Sequence, residues 1–162
     1  MMIVLGVDPG SIVTGYGLVE KKGDKMTCIH ADAISLSKDL PFFQRIYSIY
    51  QSMVEVMTRF CPGEMAIEDI FFSKNVKSAL KIGHARGAVL IAATQCGLKI
   101  YEYSPLEIKK SVVGYGRATK AQVRSMVQVI LTLDYQPNFD TADALAAAIC
   151  HLNWTRFEHR PR

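Results

Sequence analysis

Four acidic residues occupy positions where a purely structural protein rarely places charge. Asp8 and Glu68 each end a short apolar run that is typical of a strand buried on both faces. Asp140 and Asp143 lie three residues apart at the start of an alanine-rich segment, so a helix there would project both from one face. A charge at the end of a buried strand costs desolvation free energy unless something compensates it. A bound divalent cation would compensate several of these charges at once.

The four acids form an all-oxygen ligand set, which suits magnesium or manganese better than zinc. Two such ions about 4 Å apart stabilise the attacking and leaving oxygens of an in-line displacement at phosphorus. The sequence therefore predicts a hydrolase that cleaves phosphodiester bonds with a metal-activated water. Its expected catalytic and metal-binding residues are Asp8, Glu68, Asp140 and Asp143.

Each acid also has a simpler structural interpretation. Asp140 could cap the last helix, with Asp143 as a favourable charge in its first turn. Asp8, which precedes a Pro-Gly pair, could be a turn residue, and Glu68 could pair with a buried arginine. The coincidence of all four acids in one chain favours the metal site over four separate explanations.

Hydrophobic periodicity predicts the strands that would position these acids. The first three should form an antiparallel meander because the turn at 22–24 is tight, whereas the last two follow helices and should run parallel to a neighbour. This gives an α/β fold with a mixed five-stranded sheet flanked by helices, and with Asp8 and Glu68 on adjacent strands. The predicted strands are Ile3–Val7, Tyr16–Glu20, Met26–Leu36, Met65–Glu68 and Leu98–Tyr103.

Helical spacing and capping residues predict five helices. The segment 114–117 must be a loop, and the last helix should run from about Asp140 to Leu152. We expect one domain over residues 1–154 and a basic, flexible tail over residues 155–162. The other predicted helices cover Phe43–Phe60, a long segment from a cap at Ser73 to Gly97, a segment opened by Ser104-Pro105, and one capped by Thr119.

Composition limits the class of protein more than the activity. The chain has 162 residues, 49% of them hydrophobic, and a formal net charge of +4 that mildly favours a polyanionic partner. Its four cysteines are scattered without metal-ligand spacing, which favours reduced thiols in a cytosolic protein. The N-terminal apolar run is too short for a secretory signal, and no stretch is long enough to span a bilayer. We therefore expect a cytoplasmic protein.

Five blocks of the sequence, in order and with family-like spacing, resemble the RuvC family of Holliday junction resolvases. The resemblance covers nearly the whole chain, and none of the four acids is replaced. A single Asp-x-Gly motif would be weak evidence, whereas five ordered blocks are specific. The blocks are Gly6–Gly10 with Thr14–Gly17, Glu68–Phe71, Leu80–Gly87, Lys109–Gly114 with Lys120, and Asp140–Ala146 with Cys150-His151.

The resemblance implies a ribonuclease H-like fold, a homodimer and magnesium-dependent cleavage of four-way DNA junctions during recombination and repair. Such an enzyme would make paired symmetric nicks, with manganese able to substitute for magnesium and two ions in each active site. The resemblance further implies that the four acids bind the metal, and that the RuvA–RuvB branch-migration complex is a partner.

Aromatic and basic residues near these blocks are candidates for DNA contacts. Phe71 could stack on an unpaired base near the branch point, although it could equally be a core aromatic leaving a strand. A single lysine is more often a solvated surface charge, but Lys109 and Lys120 flank a glycine-rich loop that a DNA backbone could approach closely. The basic candidates are Lys81, Arg86, Lys109, Lys110, Arg117 and Lys120.

Two features have open interpretations. Gly83 and Gly87, four apart in the long helix, could admit a neighbouring helix either within the monomer or across a dimer axis. His151 could support the acids, although its spacing does not suggest a metal ligand.

Three other functions are compatible with parts of the pattern. A sugar-kinase-like phosphotransferase also begins with a strand, an aspartate and a glycine turn, but it needs a second domain. A ribonuclease H-like enzyme acting on structured RNA would share the acids. A non-cleaving junction-binding module would be expected to have lost at least one of them.

Overall fold

The structure is a computed structural model that describes residues 2–69 and 75–158, the last four of these as backbone alone. It contains ten helices and strands within these ranges, joined mostly by short connections. The strands are β1 Met2–Asp8, β2 Val13–Lys22, β3 Lys25–Ser35, β4 Glu64–Glu68 and β5 Lys99–Tyr103. The helices are α1 Phe42–Phe60, α2 Val76–Gln95, α3 Pro105–Val113, α4 Lys120–Ile130 and α5 Phe139–Glu158.

The five strands form one mixed sheet in the order β3-β2-β1-β4-β5. β1, β2 and β3 pair antiparallel, and Gly23 adopts a left-handed conformation in the tight turn between β2 and β3. β4 runs parallel to both β1 and β5. The predicted meander, the two parallel strands and the adjacency of β1 and β4 are all confirmed.

Helices cover both faces of the sheet, because β1 and β4 are apolar on both sides. Along β1, Leu5 belongs to the core shared with α1 and α2, whereas Val4 packs in the core shared with α3, α4 and α5. This alternation follows from the two-residue period of a strand. The sheet is therefore the central layer of a three-layer α/β/α fold, with β1 and β4 at its centre.

Side-chain caps fix the starts of most helices. Ser104 with Glu107 and Thr119 with Gln122 form capping boxes on α3 and α4, as predicted for the two cap residues. α2 is capped by Asn75, whose side chain accepts a hydrogen bond from the Ser78 amide. The predicted cap, Ser73, lies outside the described residues.

Helix α5 is longer than the sequence prediction. It continues to Glu158, beyond the predicted end at Leu152 and into the segment expected to be a flexible tail. No glycine or proline interrupts the chain between Phe139 and Glu158, so nothing in the backbone chemistry stops the helix there. No helix among the described residues is long and apolar enough to cross a membrane.

Candidate active site

Asp8 and Glu68 lie side by side at the C-terminal ends of β1 and β4, two neighbouring strands in the middle of the sheet. β1 and β4 are parallel, and their register pairs Val7 with Ile67, the residues immediately before the two acids. Adjacent strands lie about 4.8 Å apart, so the two acids leave the sheet as neighbours. The predicted juxtaposition is therefore present, and it follows from the parallel pairing of the two strands.

The turn after Asp8 is held by residues other than Asp8. Gly10 donates its N–H to Thr14 Oγ1 over 3.2 Å, and the buried Thr14 hydroxyl donates back to the Gly10 carbonyl over 2.7 Å. Arg45 of α1, also buried, donates to the Ser11 carbonyl over 3.2 Å. Because Thr14 closes the turn, the carboxylate of Asp8 is not needed for it.

Helix α5 lies almost directly on the glycines of β1 and β2. A Cβ atom built on Gly15 would stand 2.1 Å from the Asp140 carbonyl oxygen, and one on Gly6 would stand 1.9 Å from the Ala144 carbonyl oxygen. Gly15 is the residue that pairs with Asp8 in the sheet. The close approach therefore places the first turn of α5, with Asp140, beside Asp8.

The cap of α5 is Asn138, not Asp140. The Asn138 side-chain oxygen accepts a hydrogen bond from the Thr141 amide over 2.8 Å. The structural interpretation of Asp140 as the helix cap is therefore wrong, because an asparagine two residues earlier already performs that function. Asp140 and Asp143 lie within the first turns of α5, and both carboxylates are near enough to Asp8 to raise its pKa.

Burial and mutual repulsion dominate the electrostatics of the four acids. Burial, with the nearby carboxylates of Asp143, Glu68 and Asp140, raises the pKa of Asp8 to about 7, and the Lys120 ammonium only partly opposes this. Burial and Asp143 also raise the pKa of Glu68, against the opposing effects of Lys120, Lys109 and Arg86. The cluster therefore carries more negative charge than its neighbours neutralise.

Lys120 is the cation within this cluster. Its Nζ lies 2.9 Å from Asp143 Oδ2, and this hydrogen bond raises the pKa of the lysine. Lys109 and Lys120 line a cavity of about 220 Å³ together with Glu68 and Asp143. Two of the predicted phosphate-binding residues therefore share one cavity with two of the acids, although they come from separate helices.

The four acids match a divalent cation by chemistry and by charge. Among the side chains that the structure describes, no three from Asp, Glu, His or Cys converge closely enough to hold a metal ion as they stand. Burial first, and then the neighbouring carboxylates, nevertheless raise the pKa of Asp8, and a bound cation would relieve both effects. Magnesium and manganese bind where several carboxylate oxygens carry negative charge that neighbouring residues do not compensate.

The titration of Asp8 gives a testable pH dependence in the metal-free protein. Because its pKa rises from 3.8 to about 7 on folding, the folded protein holds a proton that the unfolded chain releases. We expect this group to make the free energy of unfolding in EDTA fall as pH rises from about 4 to 7. Asp8→Asn should therefore be more stable than wild type above pH 7 but not at pH 4, as measured by urea unfolding. Parallel stability curves for the two proteins would contradict the assignment.

The remaining basic candidates are distributed over several surfaces. Arg86 is only 6% exposed, and its guanidinium contacts the Glu68 carbonyl and the Glu102 carboxylate, so the structure does not support a phosphate contact there. Lys110 lines a different cavity, beside Trp154, because successive helical residues point about 100° apart. Lys81 and Arg117 are exposed. Phe71 lies outside the described residues.

His151 does not lie with the acids. It is 1% exposed, and its ring nitrogens contact the Tyr103 hydroxyl at 2.6 Å and Glu64 Oε2 at 2.7 Å. Glu64 begins β4, whereas Glu68 ends it, so His151 serves the opposite end of that strand. Through these contacts His151 joins α5 to β4 and β5.

Sequence reasoning missed several residues that position the acids. Gly6 and Gly15 accommodate α5, and the signal available was their alternation with apolar residues in two strands that otherwise favour larger side chains. Asn138 has the sequence signature of a cap, but Asp140 competed for that assignment. Nothing in the sequence indicated that Thr14 and Arg45 hold the turn after Asp8.

Known proteins resemble this chain over nearly its whole length. Residues 4–151 match the family described as crossover junction endodeoxyribonuclease RuvC. The chain is 46% identical over 160 residues to the protein of that name from Halothermothrix orenii, covering 98% of this chain and 97% of the relative. It is 50% identical over 151 residues to that of Legionella pneumophila subsp. pneumophila, covering 93% of this chain and 87% of the relative.

Solved structures give the same result. T. thermophilus RuvC in complex with Holliday junction substrate is 37% identical and superposes with a TM-score of 0.91, covering 98% of this chain and 97% of that one. The yeast mitochondrial Holliday junction resolvase, at 13% identity and a TM-score of 0.65, shares the fold. The predicted ribonuclease H-like architecture is confirmed, and the chain belongs to the RuvC family of crossover junction endodeoxyribonucleases.

Proposed function

We propose that this protein resolves four-way DNA junctions by hydrolysing phosphodiester bonds at the site formed by Asp8, Glu68, Asp140 and Asp143. The observation that carries the proposal is that β1, β4 and the first turns of α5 bring four acids near one another, beside Lys109 and Lys120. Family membership supplies the substrate, since its members carry the name crossover junction endodeoxyribonuclease.

We propose that the four acids hold two magnesium ions, with manganese as a substitute. Bound there, the ions would activate the attacking water and stabilise the negative charge that develops on the phosphate. The chain's own contribution is to fix the acids on rigid elements and to bring Lys120 within reach of the same phosphate. Because Lys120 pairs with Asp143 in the metal-free protein, we expect that contact to be exchanged when the ions and DNA bind.

Lys109 and Lys120 should bind phosphates of the junction. Replacing either with alanine should weaken junction binding and reduce the slope of log K against log salt by about 1, the contribution of one phosphate contact. Fluorescence anisotropy in EDTA over a salt series measures this slope. Lys25→Ala, at the exposed first residue of β3, removes the same charge at the end of the β2–β3 hairpin far from the acids and should leave the slope unchanged. A slope that is equal in all four proteins would contradict the assignment.

We propose that two copies pair through the exposed apolar groove between α1 and α2. Phe43, Tyr47 and Ile91 line this groove and are 71%, 59% and 63% exposed. Gly83 and Gly87 lie there too, and a Cβ atom on either would meet nothing within 4 Å among the described residues, so they do not serve packing inside the chain. A two-fold dimer would supply the two active sites that paired nicks require.

Sedimentation tests the dimer directly. Wild type should sediment as a dimer at assay concentrations, and Phe43→Glu should sediment as a monomer because it places a charge in the apolar interface. Met2→Glu introduces the same charge at another exposed apolar residue, and that variant should remain a dimer. A monomeric wild type, or a dimeric Phe43→Glu, would argue against this interface.

The experiment that tests the function compares cleavage of a mobile four-way DNA junction with cleavage of structured RNA, each with magnesium and with EDTA. Paired symmetric nicks in DNA that require magnesium would support the proposal. Preferential cleavage of RNA would favour a ribonuclease H-like enzyme of different specificity, and tight junction binding without cleavage would favour a binding module. A cytoplasmic location and partnership with the RuvA–RuvB complex are part of the same proposal and rest on family membership.

A further inference from the structure

Arg86 is a buried cation whose place in the fold is not explained by DNA binding. It lies on α2, is 6% exposed, and belongs to the small group of polar residues buried among the described parts of the chain. Burying a guanidinium carries a large desolvation cost unless its N–H groups find hydrogen-bond acceptors. Its partners therefore indicate what the residue contributes.

The two terminal nitrogens of Arg86 contact the ends of two neighbouring strands. Nη1 donates to the carbonyl oxygen of Glu68, the last residue of β4. Nη2 donates to Glu102 Oε1 over 2.6 Å, and Glu102 lies on β5 beside Ile67. The guanidinium thus links α2 to the C-terminal ends of β4 and β5, at the backbone of Glu68.

The register of the sheet explains why the Glu68 carbonyl needs this donor. The Asp69 amide donates to the Tyr103 carbonyl over 2.8 Å, so the backbone groups of residue 69 face β5. Backbone groups alternate in direction along a strand, so the Glu68 carbonyl faces β1. Continuing the β1–β4 register by one pair past Val7 and Ile67 places Asp8 opposite Glu68. In a parallel pair a carbonyl accepts from the N–H of the residue that follows its partner, so residue 9 is the donor expected for the Glu68 carbonyl. Residue 9 is Pro9, which has no N–H.

We propose that Arg86 is a positioning residue for the active site, because its guanidinium supplies the hydrogen bond that Pro9 cannot and so fixes the peptide that presents Glu68 to the other acids. This inference rests on the proposed metal-dependent function. The charge of Arg86 acts in the same direction, since it opposes the rise in the pKa of Glu68. A residue one layer behind the metal ligands typically changes metal affinity by about 10–100-fold when it is removed.

The test is a calorimetric titration of Mn²⁺ into wild type and Arg86→Met, with Met53→Ala as the control for lost stability. Met53 is fully buried in the core between α1 and the sheet, so its truncation should destabilise the fold without touching Glu68. We expect Arg86→Met to bind Mn²⁺ about 10–100-fold more weakly and Met53→Ala to bind it within about 2-fold of wild type. Glu102→Gln keeps an acceptor for Nη2 and should also retain Mn²⁺ affinity, because the bond to the Glu68 carbonyl remains.

Two different results would overturn the inference, and they are distinguishable. Mn²⁺ affinity in Arg86→Met equal to that of Met53→Ala would show that Arg86 serves stability alone, leaving the metal site intact. If Asp8→Asn bound Mn²⁺ as tightly as wild type, the proposed metal site would be ruled out, and the proposed role of Arg86 would be ruled out with it. Loss of affinity in Asp8→Asn and Arg86→Met, with retention in Met53→Ala and Glu102→Gln, supports both proposals.

Discussion

Replacing Asp8 with asparagine is expected to lower the rate of junction cleavage by at least about 10³-fold, because a metal held by fewer carboxylates gives up several kcal/mol of transition-state stabilisation. Asparagine has nearly the same shape but no charge, so the turn closed by Thr14 should be unaffected. Junction binding in EDTA should be retained or become tighter, since a negative charge facing the phosphates is removed. Single-turnover cleavage and anisotropy measure the two effects separately.

The suitable control is Asp32→Asn, which removes an exposed carboxylate from the edge strand β3, two strands across the sheet from β1. This variant should cleave at the wild-type rate. Cleavage by Asp8→Asn within about 10-fold of wild type would mean that Asp8 is not a ligand of the reacting metal, whatever its effect on stability.

The second large effect is expected from Gly15→Ala. The added Cβ would lie 2.1 Å from the Asp140 carbonyl oxygen and 2.3 Å from its carbon, and backbone atoms of a helix cannot move aside as a side chain can. We expect a loss of about 3 kcal/mol in the free energy of unfolding, the upper part of the range for overpacked cores. Because α5 must shift, Asp140 and Asp143 should also lose their position, and cleavage should fall by more than stability alone accounts for.

Gly63→Ala is the matched control for that variant. Its Cβ would meet nothing within 4 Å among the described residues, and its backbone is not in the left-handed region. Urea unfolding should therefore give wild-type stability or slightly more, since alanine restricts the unfolded chain. If Gly15→Ala were as stable and active as Gly63→Ala, that result would contradict the close contact between α5 and Gly15 of β2.

The fold and the four acids were largely predictable because each depends on local patterns. A short apolar run that ends in an acid predicted both Asp8 and Glu68 at strand ends, and the helical crossover between the strands predicted that they run parallel. The three-residue spacing of Asp140 and Asp143 predicted one helical face. These patterns need no knowledge of the rest of the chain.

The supporting contacts were not predictable because they depend on registers between distant segments. The close contact between Gly15 and the backbone of Asp140 depends on where α5 lies on the sheet, and no local sequence pattern specifies that position. The contact between Arg86 and the Glu68 carbonyl depends on both the sheet register and the packing of α2. Neither can be inferred from the residues around Arg86, which favoured a phosphate contact instead. The extension of α5 to Glu158 was missed because a basic, polar composition was interpreted as a flexible tail.

Anomalous scattering from crystals soaked in Mn²⁺ tests most directly whether the four acids form the metal centre of this enzyme. We expect anomalous peaks at the C-terminal ends of β1 and β4, within about 2.0–2.5 Å of carboxylate oxygens from Asp8 and its partner acids, and with Lys120 no longer against Asp143. Asp8→Asn crystals should lose at least one peak. Peaks confined to other surfaces, or an acid cluster that stays empty while Lys120 keeps its contact with Asp143, would contradict a metal centre at these acids.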